Sequence, residues 1–147
     1  MRNNNLIGTG VALVTPFKDD FSIDFNSLDK LIEHLINNGI NYFVVMGTTG
    51  ESATLSLDEQ KSILSHVKKT VNSRVPLVLG VGGNNTREVL DKMNDFDFSD
   101  IEAILSVCPY YNKPSQAGLF SHYSAIAEKA PVDVILYNVP SRTALNI

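Results

Sequence analysis

Three short stretches of the sequence carry side chains able to hold an anion and to move protons. Gly47-Thr48-Thr49-Gly50-Glu51 follows the apolar run Tyr42-Phe43-Val44-Val45-Met46 and precedes a helix start at Ser56, so it reads as strand, tight turn and helix. Two glycines let the backbone turn sharply and approach a ligand closely, while the threonines between them offer hydroxyls and backbone N–H groups to a small anion. The same pentapeptide also suits an ordinary βα loop whose glycines serve only for a positive φ. Tyr110-Tyr111 and Tyr137 lie in or beside polar loops. A phenol acts as general acid or base when neighbouring hydroxyls relay its proton, and Thr48 or Thr49 would sit across the same mouth. Each tyrosine also reads as a core or rim aromatic with a satisfied hydroxyl. Arg142, just past Tyr137, is either a surface arginine or a planar cation placed to grip a carboxylate through two bonds.

Other chemistries lack their parts. The glycine-rich turn at 47–52 has no P-loop lysine, and Gly80-x-Gly82 is followed by Asn85 where a dinucleotide fingerprint needs a third glycine. His34, His66 and His122 each fall on a different predicted helix, which favours surface or packing roles over a metal site. No G-x-S-x-G elbow is present. The 147 residues, 44% apolar and 19% charged with net charge −4, suit one ordinary soluble domain. The 12 basic residues are scattered, with Lys68-Lys69 the one adjacent pair, so nucleic acid is not an expected partner. Cys108 stands alone and favours a reducing compartment. The N-terminal apolar run, broken by Gly8 and Gly10, is too short for a signal peptide or membrane span, and a cytoplasmic location is expected. Neither cofactor nor metal is expected.

The elements that must position these residues repeat. Val11–Thr15 reads as a strand buried on both faces and stopped by Pro16. Leu28, Leu31, Ile32, Leu35 and Ile36 mark an amphipathic helix with Gly39 at its C-terminal end. Ser56-Leu57-Asp58-Glu59 is a capping box for a helix to about Val71, with an inner stripe of Leu57, Ile63, Leu64, Val67 and Val71. Pro76–Leu79 is a strand, and Asn84 or Asn85 caps the next helix. Ile101–Val107 is a strand; Pro114-Ser115 opens a helix whose face is Leu119, Phe120, Tyr123, Ile126 and Ala127. Val132–Tyr137 is a fifth strand, with no fifth helix after it. Strand starts recur every 25 to 35 residues, one strand plus one crossover helix. Such alternation means a parallel sheet covered by helices, in a (β/α) barrel or a doubly wound sheet. The polar, glycine-rich and aromatic residues follow every strand, which leans toward a barrel, where all strand C-terminal ends meet at one mouth. A full barrel takes about 250 residues, so the chain reads as five strands and four helices of a larger whole.

GTTGES, PYYNKPSQ and YNVPSRT, with GVALVTPF near the start, closely resemble the dihydrodipicolinate synthase (4-hydroxy-tetrahydrodipicolinate synthase) family of pyruvate-dependent class I aldolases. The similarity runs from about Gly10 to Thr143 and covers the first half of a family member. The resemblance implies the N-terminal part of a single (β/α)8 TIM barrel domain over residues 1–147, the rest of the barrel and a C-terminal helical region lying outside them. It implies a lyase, usually a homotetramer built as a dimer of dimers, that condenses pyruvate with L-aspartate 4-semialdehyde through a lysine Schiff base, on the route to diaminopimelate and lysine. Thr48 and Thr49 would hold the pyruvate carboxylate, Tyr137 would be the general acid/base, and Thr48 would link it to Tyr111 from the neighbouring subunit. Arg142 would bind the semialdehyde carboxylate. Ser52, Ala53, Asn84, Glu88 and Tyr110 match positions lining the allosteric lysine site of sensitive relatives. Leu57 and Gln60 stand where those relatives often carry histidine, so weak or absent lysine inhibition is expected. The family's Schiff-base lysine lies on the sixth strand, beyond residue 147, and of the eight lysines present only Lys113 is in a strand-end loop. Residues 1–147 alone are therefore expected to be inactive. The wider family, N-acetylneuraminate lyase included, shares the G-x-x-G-E turn and the strand-end tyrosine but generally not the tyrosine pair or the arginine. Such a relative, and a non-catalytic anion-binding or assembly fragment, are the alternative readings.

Overall fold

The structure, a computed structural model, describes residues 4–147. The chain forms two compact units, one through Leu79 and one from Gly80 to Ile147.

In the first unit, β1 (Gly10–Ala12), β2 (Tyr42–Val45) and β3 (Leu77–Gly80) pair in parallel, with Val11 opposite Phe43 and Val44 opposite Val78. Helices α1 (Phe25–Asn37) and α2 (Leu57–Val71) are the crossovers. The Asp24 side chain caps α1 by accepting from the Ser27 N–H at 3.1 Å, and Gly39 takes φ +80° just beyond the helix end. The capping box of α2 is complete: Ser56 Oγ accepts from the Glu59 N–H, and Glu59 Oε2 accepts from the Ser56 N–H at 2.8 Å. Losing such a cap costs a helix about 1 kcal/mol. The two helices pack together, and Leu28 and Ile32 of α1 and Ile63 and Val67 of α2 are each 1% exposed or less. At their outer seam Asp29 accepts from the Thr70 hydroxyl at 2.7 Å and meets His66 Nε2 at 2.7 Å, and Arg74 grips Glu33 with two N–H groups. The Thr70 hydroxyl, with help from His66, holds the Asp29 carboxyl below its usual range.

In the second unit, β4 (Ile101–Val107) and β5 (Asp133–Tyr137) pair in parallel from Ala103 opposite Asp133 to Val107 opposite Tyr137. Helices α3 (Thr86–Met93) and α4 (Gln116–Lys129) pack together. Asn85 caps α3 and Ser115 caps α4, while Pro131 forces Ala130 into extended backbone and ends α4. In each unit strand order follows chain order, without the reversal that marks the switch point of a doubly wound sheet.

Several expectations need correction. β1 is three residues long and not buried on both faces, since Gly10 and Ala12 are exposed. Leu57 is 37% exposed because the stripe of α2 is centred on Gln60, Ile63, Leu64, Val67 and Val71, leaving Leu57 at its rim in the first turn. Phe120, 75% exposed, and Ala127 are off the buried face of α4, which is Leu119, His122, Tyr123 and Ile126. At about 100° per residue both fall roughly a quarter turn away from it. A fifth helix is present after all: α5 (Pro140–Thr143) is a single turn started by a proline whose fixed φ suits the first helical position. Its four residues are too few for the hydrophobic periodicity that reveals longer helices.

His122 is the polar residue of the α3–α4 seam. Only 4% exposed, it meets Thr86 Oγ1 through Nδ1 at 2.8 Å and has no partner for Nε2 among the described residues. Burial pushes the imidazole below its ordinary pKa, which is about 6.5. The unfolded chain then binds the proton more readily than the folded one. Stability is thus full above about pH 6.5 and declines as the pH falls through that value. The carboxylates of Asp29 and Glu33, shifted down by their partners, withdraw their share only below their own ordinary range of about pH 4. Urea midpoints between pH 7 and 5 should therefore fall in the parent protein and fall less in His122→Asn, which keeps a polar atom for Thr86 but cannot titrate. Equal slopes would remove His122 as the source.

Candidate active site

The Thr48–Gly50 segment is a single 3₁₀ turn closed by Gly50 N–H to Gly47 O and Glu51 N–H to Thr48 O, both 3.0 Å. Its opening residues Thr48 and Thr49 are exposed, and the first N–H groups of a helical turn have no partner within it. An exposed threonine pair opening a helical turn is the residue make-up an anion cradle uses. The alternative use of the glycines, a positive φ, does not hold. Gly47 has φ −73°, and positive φ falls instead on Met46 (60°) and Glu51 (55°), which bracket the turn. Gly50 is needed for closeness: a Cβ there would lie 2.9 Å from the Leu13 carbonyl. Thr15, 6% exposed, clamps the same point by donating its hydroxyl to Gly50 O at 2.7 Å. In the sequence Thr15 is only the end of the first apolar run, its sole signal a hydroxyl just before Pro16.

The loop continues through half-buried Ser52 and exposed Ala53 to Gln60, which is turned inward. The Gln60 amide donates to Ser52 O at 3.0 Å and Leu55 O at 2.9 Å, so its donors serve its own loop.

In the second unit Tyr137 ends β5 with 39% of its surface exposed. Its carbonyl is fixed by the N–H of buried Cys108 at 3.3 Å, with the thiol at 3.5 Å, so the backbone is held while the side chain remains accessible. Asn138 follows, bonded to Asn146 through Nδ2 at 2.8 Å. α5 then places Arg142, exposed, between the Val139 carbonyl that its N–H reaches at 2.8 Å and buried Thr143. Thr143 Oγ1 anchors the turn on the carbonyls of Val139 and Leu145.

The other aromatic loop projects Tyr111, 93% exposed, beside Tyr110, 44% exposed. Asn84 joins it: Asn84 Nδ2 donates to Tyr110 O at 3.2 Å, and Asn112 Nδ2 donates to Asn84 O at 2.9 Å. Glu88 accepts from Asn85 Nδ2 at 2.8 Å, one turn into α3. Thr48, Thr49, Ser52 and Ala53 thus share one loop of the first unit, and Asn84, Tyr110 and Asn112 are linked within the second.

Lys92 is the lysine whose pKa burial lowers, as a Schiff-base amine needs, and its ammonium lies 5.9 Å from the Phe96 ring centroid. It sits in the last turn of α3, the end of a crossover helix opposite to the strand C-terminal loops. Lys113 lies in the loop of the tyrosine pair and is exposed. Among the described residues no group of three or more His, Cys, Asp or Glu side chains is placed to hold a metal ion, and no helix is long and apolar enough to cross a membrane.

Residues 5–147 match the model of the Dihydrodipicolinate synthetase family. The chain is 54% identical over 141 residues to a 4-hydroxy-tetrahydrodipicolinate synthase of Flavobacterium psychrophilum, covering 96% of this chain and 48% of that protein. It is 52% identical over 147 residues to the protein of the same name from Parabacteroides distasonis, covering all of this chain and 50% of the relative. A crystal structure of the chloride-inhibited dihydrodipicolinate synthase from Acinetobacter baumannii, complexed with pyruvate, superposes with a TM-score of 0.90 at 44% identity, over 95% of this chain and 48% of that one. The chain spans about half the length of the curated relatives it matches. Alternating parallel strands and helices, polar loops after the strands and these matches agree: the chain belongs to the dihydrodipicolinate synthetase family, as the N-terminal half of its barrel.

Proposed function

We propose that the complete protein is a cytoplasmic lyase condensing pyruvate with L-aspartate 4-semialdehyde to 4-hydroxy-tetrahydrodipicolinate, within one (β/α)8 barrel domain per subunit and a dimer-of-dimers assembly. The observation that carries the reading is the YNVPSRT segment, where an accessible strand-end phenol is followed by a helical turn presenting an exposed guanidinium. Thr48 and Thr49, opening the 3₁₀ turn after β2, are the residues that would cradle the carboxylate of a keto acid.

In this reading Thr48 and Thr49 hold the pyruvate carboxylate, and the lysine that attacks the ketone lies in the sequence following Ile147. Imine formation expels the ketone oxygen as water, and the imine then loses a C3 proton to become an enamine, which attacks the aldehyde carbon. Each step moves a proton. Tyr137 is the acid/base for these transfers, with Thr48 passing protons between it and Tyr111 of a neighbouring subunit. Arg142 receives the carboxylate of the semialdehyde through paired N–H donors.

Arg142 touches only the second substrate. Arg142→Ala in the complete protein should lower kcat/KM for the semialdehyde by about 10–100-fold, the effect of losing a charge-assisted pair, while imine formation with pyruvate stays intact. Steady-state kinetics beside a borohydride trapping rate separate the two. An equal loss in both would take Arg142 off the semialdehyde.

A further inference from the structure

We infer that Asn112 is a positioning residue: with Asn84 it forms a two-way clamp that holds Tyr111 in the backbone conformation from which its phenol is presented. The inference rests on the proposed relay role of Tyr111 for its catalytic consequence, though not for its geometry.

Tyr111 has φ +70°, and the Asn112 N–H bonds to Tyr110 O at 2.9 Å across it. An i to i+2 bond over a residue near φ +75° is the rare, strained form of γ-turn. Lys113, with φ +38°, places a second left-handed residue on the other side of Asn112. An aromatic residue gains nothing from φ > 0 by itself, since its Cβ crowds the following carbonyl. Packing within the chain does not compensate, because Tyr111 is 93% exposed on its own subunit. What compensates is the pair of side-chain bonds that tie the loop to the β3–α3 turn. Asn112 Nδ2 reaches Asn84 O at 2.9 Å, and Asn84 Nδ2 returns to Tyr110 O at 3.2 Å, so the residues on both sides of Tyr111 are held by one anchor. That anchor is itself fixed, because the next residue, Asn85, caps α3 through the Arg87 N–H at 3.1 Å. Strain persists only where the surroundings over-determine it. Without the Asn112 donor the loop relaxes to negative φ at Tyr111, and its Cα–Cβ bond then points elsewhere.

The test uses the complete protein. Asn112→Asp keeps the shape but replaces the Nδ2 donor with an acceptor facing the Asn84 carbonyl. A crystal structure of this variant should show Tyr111 out of the left-handed region; Tyr111 still near φ +70° would overturn the clamp. Kinetically, Asn112→Asp should lower kcat by about 5–20-fold with KM for pyruvate changed less than about twofold, and it should cost nothing further in a Tyr111→Phe background, because a residue acting through another is not additive with it. Asn112→His, which can donate from Nδ1 at the same position, should restore most of the loss. Additive losses would overturn the assignment of Asn112 as acting through Tyr111. A neutral Tyr111→Phe would remove the relay reading and with it the kinetic role of Asn112, while the crystal structure still decides whether the clamp exists.

Discussion

Replacing Tyr137 by phenylalanine in the complete protein should lower kcat by about 10²–10⁴, the range for loss of a general acid/base. Two features of the structure make this a test of chemistry rather than of folding. The backbone of Tyr137 is fixed through its carbonyl, which accepts from the Cys108 N–H, and the strand register to Val107 involves main chain alone. Within this half of the barrel the side chain is 39% exposed at the end of β5, and phenylalanine keeps its ring, so only the hydroxyl is lost. Folding stability should be unchanged, and KM for pyruvate should move far less than kcat, because in the proposed site Thr48 and Thr49 hold the carboxylate. The expected loss is large because formation and breakdown of the imine both pass protons through one group. No histidine of this chain offers a substitute: His34 and His66 lie on α1 and α2, and His122 is buried between α3 and α4. Steady-state kinetics with purified Tyr137→Phe settle the matter, and an unchanged kcat would remove the proposed relay.

Local signals were legible where they are chemically strict. Ser56 and Glu59 announced the start of α2 because a capping box needs those side chains at that spacing, and β4 matched its apolar run from Ile101 to Val107. Signals that depend on tertiary neighbours were not legible. That Gly50 is required by the Leu13 carbonyl rather than by its own φ follows from a contact with β1's end, as does the clamp from Thr15. Phe120 belongs by sequence spacing to an apolar face, yet α4 buries His122 instead, where it meets Thr86 of α3. The turn at Pro140 was hidden because one helical turn has no period.

The candidate site divides the same way. The types of Thr48, Thr49, Tyr111, Tyr137 and Arg142 were readable because their chemistry resides in the side chain itself. Thr15 and Asn112 were not, because each acts by a bond to a carbonyl distant in sequence, Gly50 O and Asn84 O. Nothing in an asparagine beside a tyrosine pair indicates which carbonyl it will meet.

In the proposed enzyme this half of the barrel holds the proton relay and carboxylate cradle while the nucleophile lies in the half that follows. Among the lysines here, the one depressed by burial, Lys92, ends α3 away from the strand C-terminal loops, and Lys113 shares the loop of the tyrosine pair. A class I aldolase keeps pyruvate as an imine on its lysine, and borohydride converts that imine into a stable amine. Mass spectrometry of the proteolysed, pyruvate-treated and reduced complete protein should find the adduct on a single lysine beyond Ile147, and the 147-residue polypeptide treated in the same way should carry none. A pyruvate-sized adduct on any lysine from Lys18 to Lys129 would contradict the account.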